Sequence, residues 1–210
     1  MPFESNVDLA RQSLDAQRRQ ARTAYGTPEL HVGGDAGSSA NLSRGELVTN
    51  EERITRTWAQ VRTVCDPELP YLTIEEMGMV RGVRMEHEQI VVTLTPTYSG
   101  CPATDVISED VRTAVHAVEP EALIEVVLAP AWTTDWILPS AFDKMRRNGI
   151  APPEGKSADR AFLTGQGKII PCPQCSSRNT RMISAFGSTA CKAHFTCNDC
   201  LEPFEHFKCI

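Results

Sequence analysis

The chain has 210 residues, 41% of them hydrophobic and 23% charged, with a formal net charge of -6 and eight cysteines. That length holds one substantial domain plus a small module, or two small domains. No apolar run approaches the roughly 20 residues of a membrane-spanning helix, and residues 1–15 lack the apolar centre of a secretion signal; a cytoplasmic protein is expected, whose cysteines bind metal rather than form disulfides.

Charge is uneven along the chain. Residues 48–150 carry 9 Lys+Arg against 16 Asp+Glu, and residues 167–210 carry 5 against 3. The acidic body argues against nucleic-acid binding by that part.

Residues 1–47 read as a disordered or weakly helical extension: Val7, Ala10 and Leu14 suit a helix, but Tyr25 to Gly45 is rich in Gly, Ser and Asn and has too few apolar residues to order itself. Order is expected from Val48. Thr49 with Glu52 forms a capping-box signal, and Ile54, Trp58, Val61 and Val64 mark one helical face. Asp66-Pro67 ends that helix, since the residue before a proline avoids the α region. The turn Cys65-Asp66-Pro67-Glu68-Leu69-Pro70 carries a thiol and two carboxylates, and Glu68, between two prolines, is the acid of interest. A short helical turn broken at Gly78 leads to a strand at Val80 to Met85, a turn at Glu86 to Gln89, and a second strand at Ile90 to Thr95.

Thr93 to Thr104 then joins that strand to an amphipathic helix carrying Ala103, Ile107, Val111, Ala114 and Val118 at spacings of three and four. Pro102 suits the first helical position, which puts Cys101 at the helix N-terminus, where free N–H groups and the dipole favour a thiolate. Cys101 reads as a metal or cluster ligand, as a nucleophile, or as a small buried residue in a turn. Nucleophilic catalysis has no accompanying Cys-His-Asn pattern, and His116 suits a helix-end charge better than a base. Leu123 to Leu128 forms a third strand, and Pro139 to Asn148 a last helix closed by Gly149. Trp132, Asp135 and Trp136, in the loop before that helix, either line a cleft with Thr97 and Ser99 near Cys101 or anchor the core. The fold class is α/β: residues 48–150 form a small mixed three-stranded sheet with helices on one face, and residues 151–166 a linker to a separate ribbon.

In that ribbon, residues 167–210, Cys172-Pro-Gln-Cys175 and Cys197-Asn-Asp-Cys200 are two Cys-x-x-Cys knuckles. Each offers two thiolates from one tight turn, and four satisfy structural zinc; iron also suits four thiolates. So few aliphatic residues need such a staple to fold. Cys191 and Cys209, with His194 and His206 nearby, are either free or buried thiols or a second, labile thiol site. With its thiolates and a Zn²⁺ counted, the ribbon is near neutral, a poor footprint for nucleic acid.

Asp66-Pro67-Glu68-Leu69-Pro70, Met77-Gly78-Met79-Val80, Thr95 to Thr104 and Trp132-Thr133-Thr134-Asp135-Trp136 resemble the SufT-like iron-sulfur assembly family. Phe186 to Ala193 and Phe204 to Ile210 narrow this to a similarity, over residue 48 to the end, with the PaaD family of the bacterial phenylacetyl-CoA epoxidase system. The resemblance implies a small α/β domain and an accessory part in aerobic phenylacetate degradation, maturing or maintaining metal centres of the oxygenase or its reductase, with the oxygenase and reductase polypeptides as partners. It implies that Cys101 is the signature cysteine and Glu68 the signature acid, with Cys65 nearby, and that iron or an iron-sulfur cluster passes through transiently. Direct membership of the oxygenase is the alternative; the chain has no Glu-x-x-His pair for a di-iron site and no glycine-rich dinucleotide fingerprint. A zinc-ribbon regulator of nucleic acid is disfavoured by charge.

Overall fold

A computed structural model of the chain describes residues 48–154 and 169–209. The expected extension, most of the linker and Ile210 lie outside them. Residues 53–210 fall into one compact unit that holds both the α/β part and the ribbon.

Helix α1 spans Asn50–Val61. The capping box forms as the sequence predicts: the Thr49 N–H donates to Glu52 at 2.8 Å and the Glu52 N–H to the Thr49 hydroxyl at 3.2 Å. The helix ends before Val64, because the Thr63 hydroxyl donates to the Gln60 carbonyl at 2.7 Å and the Val64 N–H to Val61 at 3.2 Å, a tightened last turn. Val64 is still buried.

Strands β1 (Val80–Glu86) and β2 (Gln89–Leu94) pair antiparallel about a two-residue turn, His87 and Glu88. Both turn residues have positive φ, the twist such a hairpin needs. Strand β3 (Leu123–Val126) adds parallel to β2, reached by a crossover through helix α2 (Ala103–His116), so the sheet is mixed and three-stranded in the order β1-β2-β3. One face, with Val83, Ile90, Val92 and Leu94, packs against Ile107, Val111 and Val115 of α2. The other bears Arg84, Thr93 and Glu125, hydrogen-bonded at 2.5 to 2.8 Å in the open. Helices therefore cover one face, as the alternation of residues predicts.

A one-turn 3-10 helix, Thr134–Trp136, precedes helix α3 (Pro139–Arg147), and Gly149 follows its cap. Ile150–Ala151 then forms strand β4, which runs parallel to β7 (Pro203–Phe207) in a second sheet ordered β4-β7-β6-β5, with β6 at Lys192–Cys197 and β5 at Thr180–Ser184. The expected C-terminal ribbon is thus present. The ribbon has its own sheet, but that sheet borrows its edge strand from the end of the α/β part. Phe207 and Cys191 enter the α/β core, where Phe207 meets Trp132 edge-on with centroids 6.2 Å apart. A two-residue strand has no periodicity to reveal it. No helix of the described residues is long and apolar enough to cross a membrane.

Candidate metal centre and thiol cluster

The two knuckles are built alike. The N–H of Cys172 donates to Ser177 at 2.9 Å and that of Cys197 to Glu202 at 3.0 Å, the same five-residue step. Each knuckle is followed by a left-handed residue, Ser176 and Leu201. Ser177 and Asn179 both donate to the Asp199 carboxylate and so tie one knuckle to the other.

The four sulfurs all lie within 4.8 Å of one another, with Cys172 to Cys200 at 3.7 Å and Cys175 to Cys197 at 3.6 Å. A tetrahedral metal with sulfur ligands at about 2.3 Å sets its sulfurs about 3.8 Å apart, so the donor set fits such an ion. The Cys200 N–H, 3.5 Å from the Cys197 sulfur, helps hold the Cys197 thiol down to about 7. Cys200 is pushed up to about 12: the Glu202 N–H opposes this, but lost water and the sulfurs of Cys175, Cys197 and Cys172 outweigh it. Four thiols this close need a cation before all can ionise.

Cys101 lies in the turn before α2: its N–H donates to the Tyr98 carbonyl at 3.1 Å, and its own carbonyl accepts from the Thr104 N–H at 3.2 Å. Pro102 is the N-cap, so Cys101 precedes the helix by one residue more than the sequence predicts. The thiol is half-buried against the core. Glu68 projects from a turn fixed by Asp66, whose carboxylate accepts the N–H groups of Glu68 at 2.8 Å and Leu69 at 3.0 Å. Glu68 keeps contact with solvent, yet partial burial pushes its carboxyl up, opposed by Lys192.

The ribbon packs one of its own turns against this core. Glu205 of β7 accepts the Ser188 N–H at 2.6 Å and the Lys192 ammonium at 3.0 Å, and so holds the turn between them. A Cβ on Gly187 would come within 2.6 Å of that carboxylate, so a side chain there would displace Glu205. Burial would raise Glu205, but the Ser188 N–H and Lys192 hold it below the usual carboxylate range. This turn presents Cys191, 8% exposed, to the α/β core, with the Thr189 hydroxyl 3.0 Å from its sulfur. Thr189 helps to hold the Glu68 carboxyl down, and lost water pushes the Tyr98 phenol up, with Cys101, Cys191 and Glu68 acting in the same direction. Burial pushes the Cys191 thiol up.

The other expected site residues are spread over several places. Cys65 has Lys144, Glu76 and Asp66 as its charged neighbours, and burial pushes it up. Thr97 is buried and Ser99 exposed, both in the Cys101 loop. Trp132 is buried, with its indole N–H donating to the Met77 carbonyl at 2.9 Å. Trp136 is half-buried under the Arg81 guanidinium, 3.7 Å from its centroid. Asp135 is exposed and its N–H donates to the Thr133 hydroxyl. Cys209 donates to the Glu154 carbonyl at 3.3 Å, so the sulfurs of Cys191 and Cys209 have different partners. Thr189 and Lys192 lie in the Phe186 to Ala193 stretch that carries the family resemblance, but nothing in their spacing assigns them their partners, Cys191 and Glu205.

Comparison with known proteins agrees with this division. Residues 56–126 match the family described as iron-sulfur cluster assembly protein, and residues 156–208 the PaaD zinc beta ribbon domain. A protein of Escherichia coli K12, named as the putative D component of 1,2-phenylacetyl-CoA epoxidase, is 46% identical over 160 residues, covering 75% of this chain and 94% of that protein. An "Fe-S protein maturation auxiliary factor" of Porphyromonas gingivalis is 37% identical over 93 residues, covering 43% and 85%. The crystal structure of a DUF59 domain from Bacillus anthracis is 29% identical, with a TM-score of 0.40, covering 44% of this chain and 90% of that one.

Proposed function

The chain belongs to the PaaD family of 1,2-phenylacetyl-CoA epoxidase components, and on that premise we propose that it is an accessory protein of aerobic phenylacetate degradation that assembles or maintains iron or iron-sulfur centres of the oxygenase system. Its partners in this reading are the oxygenase or reductase polypeptides, and iron or a cluster is the cargo, held transiently. The observation that carries the reading is the position of Cys101: a half-buried thiol on a tight turn, inside the region that matches iron-sulfur assembly proteins, with Cys101 and the exposed carboxyl of Glu68 both charged neighbours of Tyr98. A soft sulfur donor suits iron or a cluster, and a partly open position suits release as well as capture.

In this reading Thr97 and Ser99 share the loop of Cys101, Trp132, Trp136 and Asp135 are the cleft residues, and Cys65 is an outlying thiol next to Asp66. The knuckle ion is zinc in this reading, supported by the ribbon family's description, and metal analysis decides between zinc and iron.

A strain carrying Cys101→Ser tests the assignment. It should make the oxygenase and reductase as polypeptides but with depleted iron or cluster content, and grow poorly on phenylacetate. The Escherichia coli relative is named as a component of the epoxidase itself, which favours a second reading in which the chain is a resident structural part of the oxygenase. That reading expects a metal-replete but inactive oxygenase in the same strain. Normal growth with normal metal content would defeat both.

A further inference from the structure

We propose that the open cleft between the Asp66 turn and the ribbon is a docking site for an arginine side chain of the polypeptide that this chain serves. This rests on the reading above, in which the chain acts on another polypeptide, and adds where that polypeptide is held.

The cleft has a volume of about 480 Å³ and is walled by both parts of the molecule. Glu68 and Tyr71 come from the segment after α1, Asn148 from the C-cap of α3, and Lys192, Phe204 and Glu205 from the ribbon. The charges of its floor are already paired. Lys192 meets Glu205 at 3.0 Å, with side chains 5% and 18% exposed, and the Glu205 carboxylate also accepts the Ser188 N–H at 2.6 Å and the Ser188 hydroxyl at 3.2 Å. Two carboxylates and one ammonium line the cleft, so with His194 counted neutral its net formal charge is -1. That charge stands at the mouth, on Glu68, which is exposed where Lys192 is buried.

An anion would meet Glu68 first and find the Lys192 ammonium engaged. A cation meets a carboxylate on a turn fixed before anything binds, since Asp66 accepts the N–H groups of Glu68 at 2.8 Å and Leu69 at 3.0 Å. Asn148 adds a second acceptor: its amide nitrogen donates to the Lys144 carbonyl at 2.8 Å, which leaves its amide oxygen to the cleft. Leu69, Tyr71 and Phe204 supply apolar wall for a methylene stem. A guanidinium takes two acceptors in one plane and brings such a stem, so arginine matches both the charge and the walls. A bare metal ion does not, because among the described residues only the knuckle sulfurs gather three or more ligand atoms within 4.8 Å.

The test titrates the isotope-labelled full chain, its knuckle ion retained, with the peptide acetyl-Ala-Arg-Ala-amide and follows the backbone amide shifts. Saturable shifts are expected at Glu68, Gly149, Ser188 and His194. Replacing the arginine of the peptide by citrulline, neutral and nearly isosteric, should weaken binding about fivefold or more, and so should Glu68→Gln in the protein. Glu121→Gln, which removes an exposed carboxylate outside the cleft, should leave binding unchanged. No saturable shift at these amides, or equal affinity for the arginine and citrulline peptides, or equal affinity in Glu68→Gln, overturns the docking site. Tighter binding of acetyl-Ala-Glu-Ala-amide at the same amides overturns it too, since Lys192 would then be reading an anion. The titration involves neither iron nor the Cys101 thiol, so its failure leaves the accessory function to be judged by the Cys101→Ser strain. A normal Cys101→Ser strain with charge-dependent peptide binding would defeat that function and keep the cleft as a docking site.

Discussion

Gly78 shows how tightly a single residue fixes the neighbourhood of the site. Its φ is +66, and a Cβ there would lie 2.4 Å from the Trp136 carbonyl oxygen and 2.7 Å from the Trp136 Cβ. The neighbouring carbonyl of Met77 accepts the Trp132 indole N–H, so one turn positions both tryptophans. Gly78→Ala adds a left-handed alanine and a backbone clash at once, and should destabilise the fold by about 2 to 4 kcal/mol, read as a lower urea midpoint. An unchanged midpoint would mean that the Trp136 backbone yields freely. At this scale the sequence was legible where a residue's chemistry is local: Gly78 breaks its turn, Gly149 closes α3 and the four knuckle cysteines converge. It was not legible for Cys191. The spacing of that residue points to Cys209 and the ribbon, while the fold buries it in the core of the α/β part.

Among elements, the turn at Thr73 to Gly78 and helix α3 are joined through one carboxylate. Glu76 closes a capping box with Thr73, accepting its N–H at 3.1 Å, and also accepts from Ser140 at 3.0 Å and from the Lys144 ammonium at 2.8 Å. Burial acts to raise Glu76, but Lys144, Thr73 and Ser140 outweigh it and hold the carboxyl below its ordinary 4.5. A depressed folded value means that stability is present above the unfolded value and is lost as pH falls through the folded one. The wild type should therefore lose stability as pH drops below about 4.5, and Glu76→Gln should flatten that part of the profile while lowering stability at pH 7. Parallel acid profiles for the two proteins would show that the Lys144 contact contributes nothing. The helices and the three strands were legible because amphipathic periods and capping residues announce them. Strand β4 was not, since Ile150 and Ala151 become a strand only when β7 arrives beside them.

The whole molecule is organised by that arrival. Phe207 and Cys191 are ribbon residues buried in the α/β core, and β4 is an α/β residue pair built into the ribbon sheet, so neither part is complete alone. The family places the knuckles at one end of the chain and the assembly region at the other; the fold makes their stabilities one quantity. A small ribbon folds on its metal, because binding energy is folding energy when the ligands are far apart in the unfolded chain. Removing the knuckle ion, by chelation or by Cys172→Ser, should then release Phe207 from Trp132 as well as unfold residues 169–209. Losing one buried aromatic side chain and its edge contact costs about 2 to 4 kcal/mol, which for a folded unit of this size lowers the melting temperature of the α/β part by roughly 5 to 15 °C. Tryptophan emission should shift to the red in the same titration, and metal restored to the chelated protein should reverse both changes. A metal-free protein with unaltered emission and an unaltered α/β transition would mean that the ribbon hangs from the domain rather than completing it.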